Sequence, residues 1–454
     1  MFVALLAAGA VTVLVGGDRH DDRVTVDPVA VAEQIMSSPP TALVQDRLPA
    51  EFAHLEPITA ARRVAADPRL AMDRVQDMPR TDASDPMEAG LAALLPVSDR
   101  VNGWRPVAAV FAELDDTTTG WLAVVFPEAI GNLTGAGYPE RIAANRIRVA
   151  AALAFSQDWP GPPRPWTDTD RRPREDLEAI MDDGRRLIQF DPLANDGQGS
   201  WVELRGDPDR AAEVAVLVPG GSAFIVSDNF GRYSQRARSF VDASHGELAM
   251  IVWAGAPFPS GWIEEAQPGW ARDAAPLLAD FMNDLRNRLD PSVLVTLAGH
   301  SYGGAIVGLA ETHDLAADRV VHVASAGAGY GVDSPLDYTR PCRARYTMMA
   351  PGDPIGYVQD VPGFTGLGHG ISPADLAGVR RMSTGWLPDD PDARDDVGRT
   401  LGSQGIAGKP IGGVHAHSEV FIPDSDAWRN LLTVFTGGEP ELLTHQPEPL
   451  SRCR

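Results

Sequence analysis

The chain has 454 residues, 44% of them hydrophobic and 22% charged, the composition of a folded protein of two or three domains rather than a disordered one. Its formal net charge is −23, and because Lys409 is its one lysine, 38 of its 39 basic residues are arginine; that balance argues against nucleic acid or an anionic membrane surface as partner. Cys342 and Cys453 are too few for a disulfide framework and are not spaced as metal ligands, which leaves a single bridge between them at most.

Residues 2–17 are uncharged and apolar, and charged residues begin at Asp18. This run is shorter than the roughly 20 residues that span a bilayer, has no basic flank before it and no A-x-A cleavage site after it. Residues 1–24 therefore read first as a signal anchor, which would tether the chain to a membrane, second as a cleaved signal peptide, and third as a buried helix. The first two readings imply a membrane-anchored or secreted protein, the third a cytoplasmic one.

Residues 25–175 read as a helical N-terminal region and linker. Apolar residues recur at helical spacing, as in Val29, Val31, Ala32 and Ile35 or Ala60, Ala61, Val64 and Ala65, and prolines break the runs. The region has no cluster of catalytic residue types, so its expected role is to pack against or cap the remainder of the chain. The proline- and arginine-rich stretch 159–174 reads as a linker or excursion. Residues 176–189 read as helix and 199–205 as an edge strand.

From about 213 the pattern changes to alternating strands and helices, which predicts an α/β domain over 176–436 with a mainly parallel sheet and flanking helices. Strands are expected at 214–218, 250–253, 293–297, 320–324, 346–349 and 379–382, with helices at 269–287, 303–312 and 428–436. The segment 437–454, rich in Pro and Glu, is expected to be a disordered tail.

The chemistry centres on Gly299-His300-Ser301-Tyr302-Gly303, which lies between the strand at 293–297 and the helix beginning near 303. A bare G-x-S-x-G is weak in a chain with 44 glycines, but a strand before it and a helix after it are the context in which the motif is a nucleophile elbow. There a serine sits on a turn too tight for side chains at the flanking positions, and its Oγ is pushed out at the carboxyl end of the sheet. The amide of Tyr302, at the helix N-terminus, would then face a developing oxyanion.

A nucleophilic serine needs a base and an acid to orient that base. Asp353, in Gly352-Asp353-Pro354 just after the strand at 346–349, would share a rim with Ser301, and Asp360 and Asp375 are fallback acids. Among the ten histidines, with His445 set aside in the expected tail, His369, His415 and His417 follow both serine and acid, and the chain order Ser, Asp, His favours His417, with His415 a close second. His415 and His417 could instead be two metal ligands on one face of an extended segment, but no third and fourth ligand is evident. The loop Pro219-Gly220-Gly221-Ser222, ending the strand at 214–218, would offer the amide of Gly221 or Ser222 to an oxyanion opposite Tyr302. Trp253, Phe258, Trp262 and Trp270 could line an apolar acyl pocket or belong to the core.

Several of these pieces together resemble the actinobacterial α/β-hydrolase domain family of unknown function, over roughly 120–425. The resembling motifs are Gly131-Asn132-Leu133-Thr134-Gly135 with Ala144-Asn145-Arg146, Gly206-Asp207-Pro208-Asp209, Trp253-Ala254-Gly255-Ala256-Pro257, Gly299 to Gly304, Gly352-Asp353-Pro354-Ile355, and His417-Ser418-Glu419. The resemblance implies an α/β-hydrolase fold with Ser301, Asp353 and His417 in the nucleophile, acid and base positions. Val420 stands where that family usually has Tyr, two residues after its His-Ser. The expectation is a serine hydrolase that needs no cofactor or metal and acts on a small-molecule or lipid ester through an acyl-enzyme. An acyltransferase on the same residues, and a non-catalytic membrane-tethered binding module on the same fold, are the alternatives.

Overall fold

The computed structural model describes residues 26–453 apart from 39–47, 49, 53, 68, 72–77, 81–82, 155–172, 183–184, 226, 358, 360–367 and 397. The apolar run at 2–17, most of the stretch at 159–174 and the fallback acid Asp360 lie outside the described residues. Among the described residues no helix is long and apolar enough to cross a membrane.

The N-terminal region is helical, and its helices start where the sequence supplies caps. Asp27 accepts from the amides of Val29 and Ala30 before helix Pro28–Met36, and Asp85 from those of Met87 and Glu88 before helix Pro86–Ser98. Proline at the first helical position suits both starts, because its missing N–H would have no partner there. Ala60, Ala61, Val64 and Ala65 of helix Pro57–Ala66 are buried with Leu91, Leu94, Val107 and Leu122 in a core separate from that of the sheet.

Helix Tyr138–Ala154 belongs to both cores. Its Ala144, Ile147 and Ala151 face the helical core, and its Val149 and Ala152 face the sheet. Here the motif at 131–146 has a structural explanation. Asn145 Nδ2 donates to Gly131 O at 2.7 Å and to Leu187 O at 3.1 Å, and Asn132 Oδ1 accepts from Phe190 N at 2.9 Å. Two amide side chains thus stitch the helical region to the first strand, where unpaired buried polar groups would each cost about 1–3 kcal/mol.

The sheet has eight strands: β1 Arg186–Asp191, β2 Ser200–Arg205, β3 Glu213–Val218, β4 Leu248–Ala254, β5 Leu294–His300, β6 Arg319–Val323, β7 Ala344–Met348 and β8 Arg380–Arg381. Their order is β1-β2-β4-β3-β5-β6-β7-β8. β1–β2 and β2–β4 pair antiparallel and the remaining pairs are parallel. Near-continuous burial of β3, β4 and β5 is what helices covering both faces produce. The expected α/β fold is present, with three local corrections. The helix read over 176–189 ends at Asp182, and Leu187, Ile188 and Phe190 enter the sheet instead. The strand read as an edge at 199–205 lies inside the sheet, between β1 and β4.

The third correction concerns the tail. The segment from Gly437 is held against the β8 edge rather than disordered: Met382 and Leu442 form an antiparallel bridge, Leu443 N donates to Arg381 O, and Gly378 N donates to Glu448 O. Cys342 and Cys453 form the disulfide that closes it. Backbone pairing and one covalent tie outweigh a composition that by itself disfavours order.

Candidate active site

β5 delivers Ser301 into the expected turn, with helix Tyr302–Ala310 immediately after it. Ser301 has φ 56° and ψ −124°, a backbone conformation that side-chain-bearing residues adopt only under strain. The flanking glycines are required by close approach. A Cβ on Gly299 would lie 2.4 Å from Gly303 O, and one on Gly303 would lie 2.3 Å from Pro219 O and 2.4 Å from Val218 O.

Asp353 is buried just beyond β7, and His417 sits in the short helix Ala416–Glu419. His417 Nδ1 lies 3.1 Å from each Asp353 oxygen. With Nδ1–H donating to the carboxylate, Nε2 is the nitrogen left to take a proton. Among the described residues no hydrogen bond joins Ser301 Oγ to His417 Nε2; such bonds commonly tighten only with substrate in place. His415 is exposed at the N-cap of the same helix, and Asp375 is exposed on the turn Pro373–Asp375. Because 416–419 is helical rather than extended, His415 and His417 do not share a face as a ligand pair. Among the described residues no group of three or more His, Cys, Asp or Glu is arranged to hold a metal.

His369, the other candidate base, is buried with Nε2 donating to Glu265 O at 2.6 Å, and burial lowers its pKa. It supports the segment after β4. Tyr302 OH ties down the same segment, donating to Gln267 O at 2.8 Å and accepting from Ala271 N at 3.1 Å.

The oxyanion candidates divide. Ser222 N donates to Pro259 O at 2.8 Å, which removes it as a donor to substrate. Gly220 N is likewise committed, to Tyr233 OH at 2.8 Å. The amides of Gly221 and Tyr302 have no protein acceptor among the described residues, while Gly221 O is fixed by Asn229 Nδ2 at 2.8 Å.

Two features were not read from the sequence. His300 is buried between Tyr233 OH, 2.6 Å from Nδ1, and His417 O, 2.9 Å from Nε2. Since a carbonyl can only accept, Nε2 carries the proton and Nδ1 accepts from Tyr233. Burial pushes the His300 pKa well below its ordinary value, and His417 and Arg236 act the same way. The second feature is Glu265. A Cβ on Gly221 would lie 2.1 Å from Glu265 Oε1, so this carboxyl rests directly on the loop at 220–222. Burial raises its pKa, and the proximity of His417 partly opposes that. Both contacts join residues far apart in the chain, and no local motif announces them.

The aromatic residues after β4 do not converge on a pocket. Trp253 and Phe258 are core, whereas Trp262 is 74% exposed. The cavity beside His417, about 410 Å³, has mixed walls instead, with Arg232, Asp395, Asp396, Arg399 and Glu419 beside Ile406, Val414 and Ile422.

The sheet order, the helices on both its faces and the tight serine turn after β5 give this chain an α/β-hydrolase fold. Residues 195–363 match the family model described as an alpha/beta hydrolase. Uncharacterized proteins from two strains of Mycobacterium tuberculosis are each 26% identical over 263 residues, covering 55% of this chain and 39% of theirs. The chain thus spans about two fifths of the length of the curated relatives it matches, and these agree with the resemblance to an actinobacterial family of unknown function. Among solved structures, the esterase LipW from Mycobacterium marinum is 15% identical with a TM-score of 0.31, covering 63% of this chain and 88% of its own. A serine hydrolase without lid from Xanthomonas campestris is 16% identical with a TM-score of 0.25, covering 38% and 73%. The fold is established by the sheet order and the family match, not by these two likenesses.

Proposed function

We propose that the protein is a serine hydrolase that cleaves a small carboxylic ester through an acyl-enzyme. The observation that carries this reading is the His417–Asp353 pair on the same rim of the sheet as the strained Ser301. Ser301 Oγ attacks the ester carbonyl while His417 Nε2 takes its proton, and Asp353 holds the imidazole by Nδ1–H. The amides of Gly221 and Tyr302 receive the charge that develops on the carbonyl oxygen. His417 then returns the proton to the departing alkoxide, and water repeats the sequence on the acyl-enzyme. The charged side chains among the cavity walls and the burial of Trp253 and Phe258 favour an ester with a polar group over a long-chain lipid.

The test is labelling of the full chain by a fluorophosphonate, with Ser301→Ala alongside, and then hydrolysis of p-nitrophenyl esters of increasing acyl length. Labelling that vanishes in Ser301→Ala, with kcat lowered by roughly 10⁴-fold or more, is the expected result. Equal labelling of the variant would remove Ser301 as the nucleophile.

A further inference from the structure

We propose that the cavity beside His417 is a substrate subsite for an anionic group, a carboxylate or a phosphate, carried by the ester, with Arg232 as its counter-charge. The inference rests on the serine-hydrolase reading and names the substrate class for that site.

The walls of the cavity mix charged and apolar side chains, and most of the charges are already spent on each other. Arg232 and Arg236 lie one turn apart on helix Asp228–Ala243 and both face Asp396. Arg236 takes that carboxylate, with Nε at 2.8 Å and Nη2 on the same oxygen. Arg232 Nε is left 3.8 Å from it, beyond hydrogen-bond reach, and is buried with no hydrogen-bond partner. Its Nη1 has only a 3.4 Å contact with Asn229 Oδ1.

The other acids do not make up the difference. Asp395 accepts from Arg399 Nε and N, each at 2.8 Å, and from Gln404 Nε2 at 3.1 Å. Glu419 has its pKa raised by burial, with His415 opposing. Arg232 therefore presents an incompletely paired guanidinium to a cavity of about 410 Å³, in a chain whose formal net charge is −23.

A guanidinium offers a planar fork of N–H donors that matches a carboxylate or phosphate, and the match strengthens where water is partly excluded. His417 itself lines the cavity. An anion seated on Arg232 would therefore belong to the molecule whose ester bond is being cleaved.

The experiment uses the full-length protein and two matched ester pairs. p-Nitrophenyl hemiglutarate against p-nitrophenyl valerate puts the anion on the acyl side, and 4-carboxyphenyl valerate against phenyl valerate puts it on the alcohol side. In one pair the wild type should prefer the anionic ester by roughly tenfold or more in kcat/KM. Arg232→Gln should lower that ratio by at least about tenfold, through the KM of the anionic ester, and Arg232→Lys should recover part of it. A ratio unchanged in Arg232→Gln for both pairs, or an equal fall for anionic and neutral esters, would overturn the inference. Fluorophosphonate labelling in parallel separates the two levels. A chain that labels but shows no Arg232-dependent preference has lost only the anion subsite. A chain that neither labels nor turns over any ester has lost the nucleophile, and the subsite falls with it.

Discussion

His300 is explained by its position in the elbow only in part. The sequence places it next to Ser301 and rules it out as the base, because a neighbour in so tight a turn cannot fold back onto the serine. Its actual contacts run the other way: Gly220 N donates to Tyr233 OH, Tyr233 O–H to His300 Nδ1, and His300 Nε2–H to the backbone of His417. One neutral imidazole thus ties the loop at 220–222 to the backbone of His417, the proposed base. We predict that His300→Ala lowers kcat by about 10- to 100-fold with a smaller change in KM, since a misplaced base weakens transition-state rather than ground-state interactions. Steady-state kinetics on a p-nitrophenyl ester in which the loss falls chiefly on KM would contradict this. Ser301 and Asp353 were legible as candidates because each follows a strand that its own residues announce, whereas His417 is marked by chain order and by the family resemblance. His300, Glu265 and the engaged amide of Ser222 were not legible, because their partners are remote in sequence.

At the level of elements, the parallel strands were legible as short β-branched runs separated by helices. β1 and β2 were not. Their pairing passes over β3 to reach β4, so neither an adjacent turn nor periodicity marks it. The close approach of the elbow to β3 was predicted from its glycines and gives a direct test. A Cβ on Gly303 would meet two backbone carbonyls, at Pro219 and Val218, that cannot rotate away. Gly303→Ala should therefore cost about 1–3 kcal/mol or more, read as a lower denaturation midpoint, together with loss of fluorophosphonate labelling. A variant as stable and reactive as wild type would show that the elbow can move off β3.

For the molecule as a whole, buried histidines tie stability to pH. Burial lowers the pKa of His322 to about 4, only partly offset by Glu311, and burial also depresses His300 and His369. The unfolded chain takes up these protons near pH 6.5 and the folded chain does not. Stability is then full above about pH 6.5 and declines as pH falls from there towards the folded values. For His322 alone the decline amounts to on the order of 3 kcal/mol. Thermal unfolding midpoints should accordingly drop between pH 7 and pH 5, and the drop should shrink in His322→Gln. A midpoint flat across that range would show that these imidazoles titrate as they do in water.

The strap from Gly437 to Cys453 has a further consequence. β8 is only two residues long, and the strap pairs with Met382, Arg381 and Gly378 along the side of the sheet that would otherwise face outward. Unpaired strand edges invite pairing with other chains, so the strap works as a built-in guard against self-association. Because one sulfur–sulfur bond fastens its end, reduction is expected to loosen the strap and uncover that edge. In reducing surroundings the same chain is expected to associate with its own copies more readily.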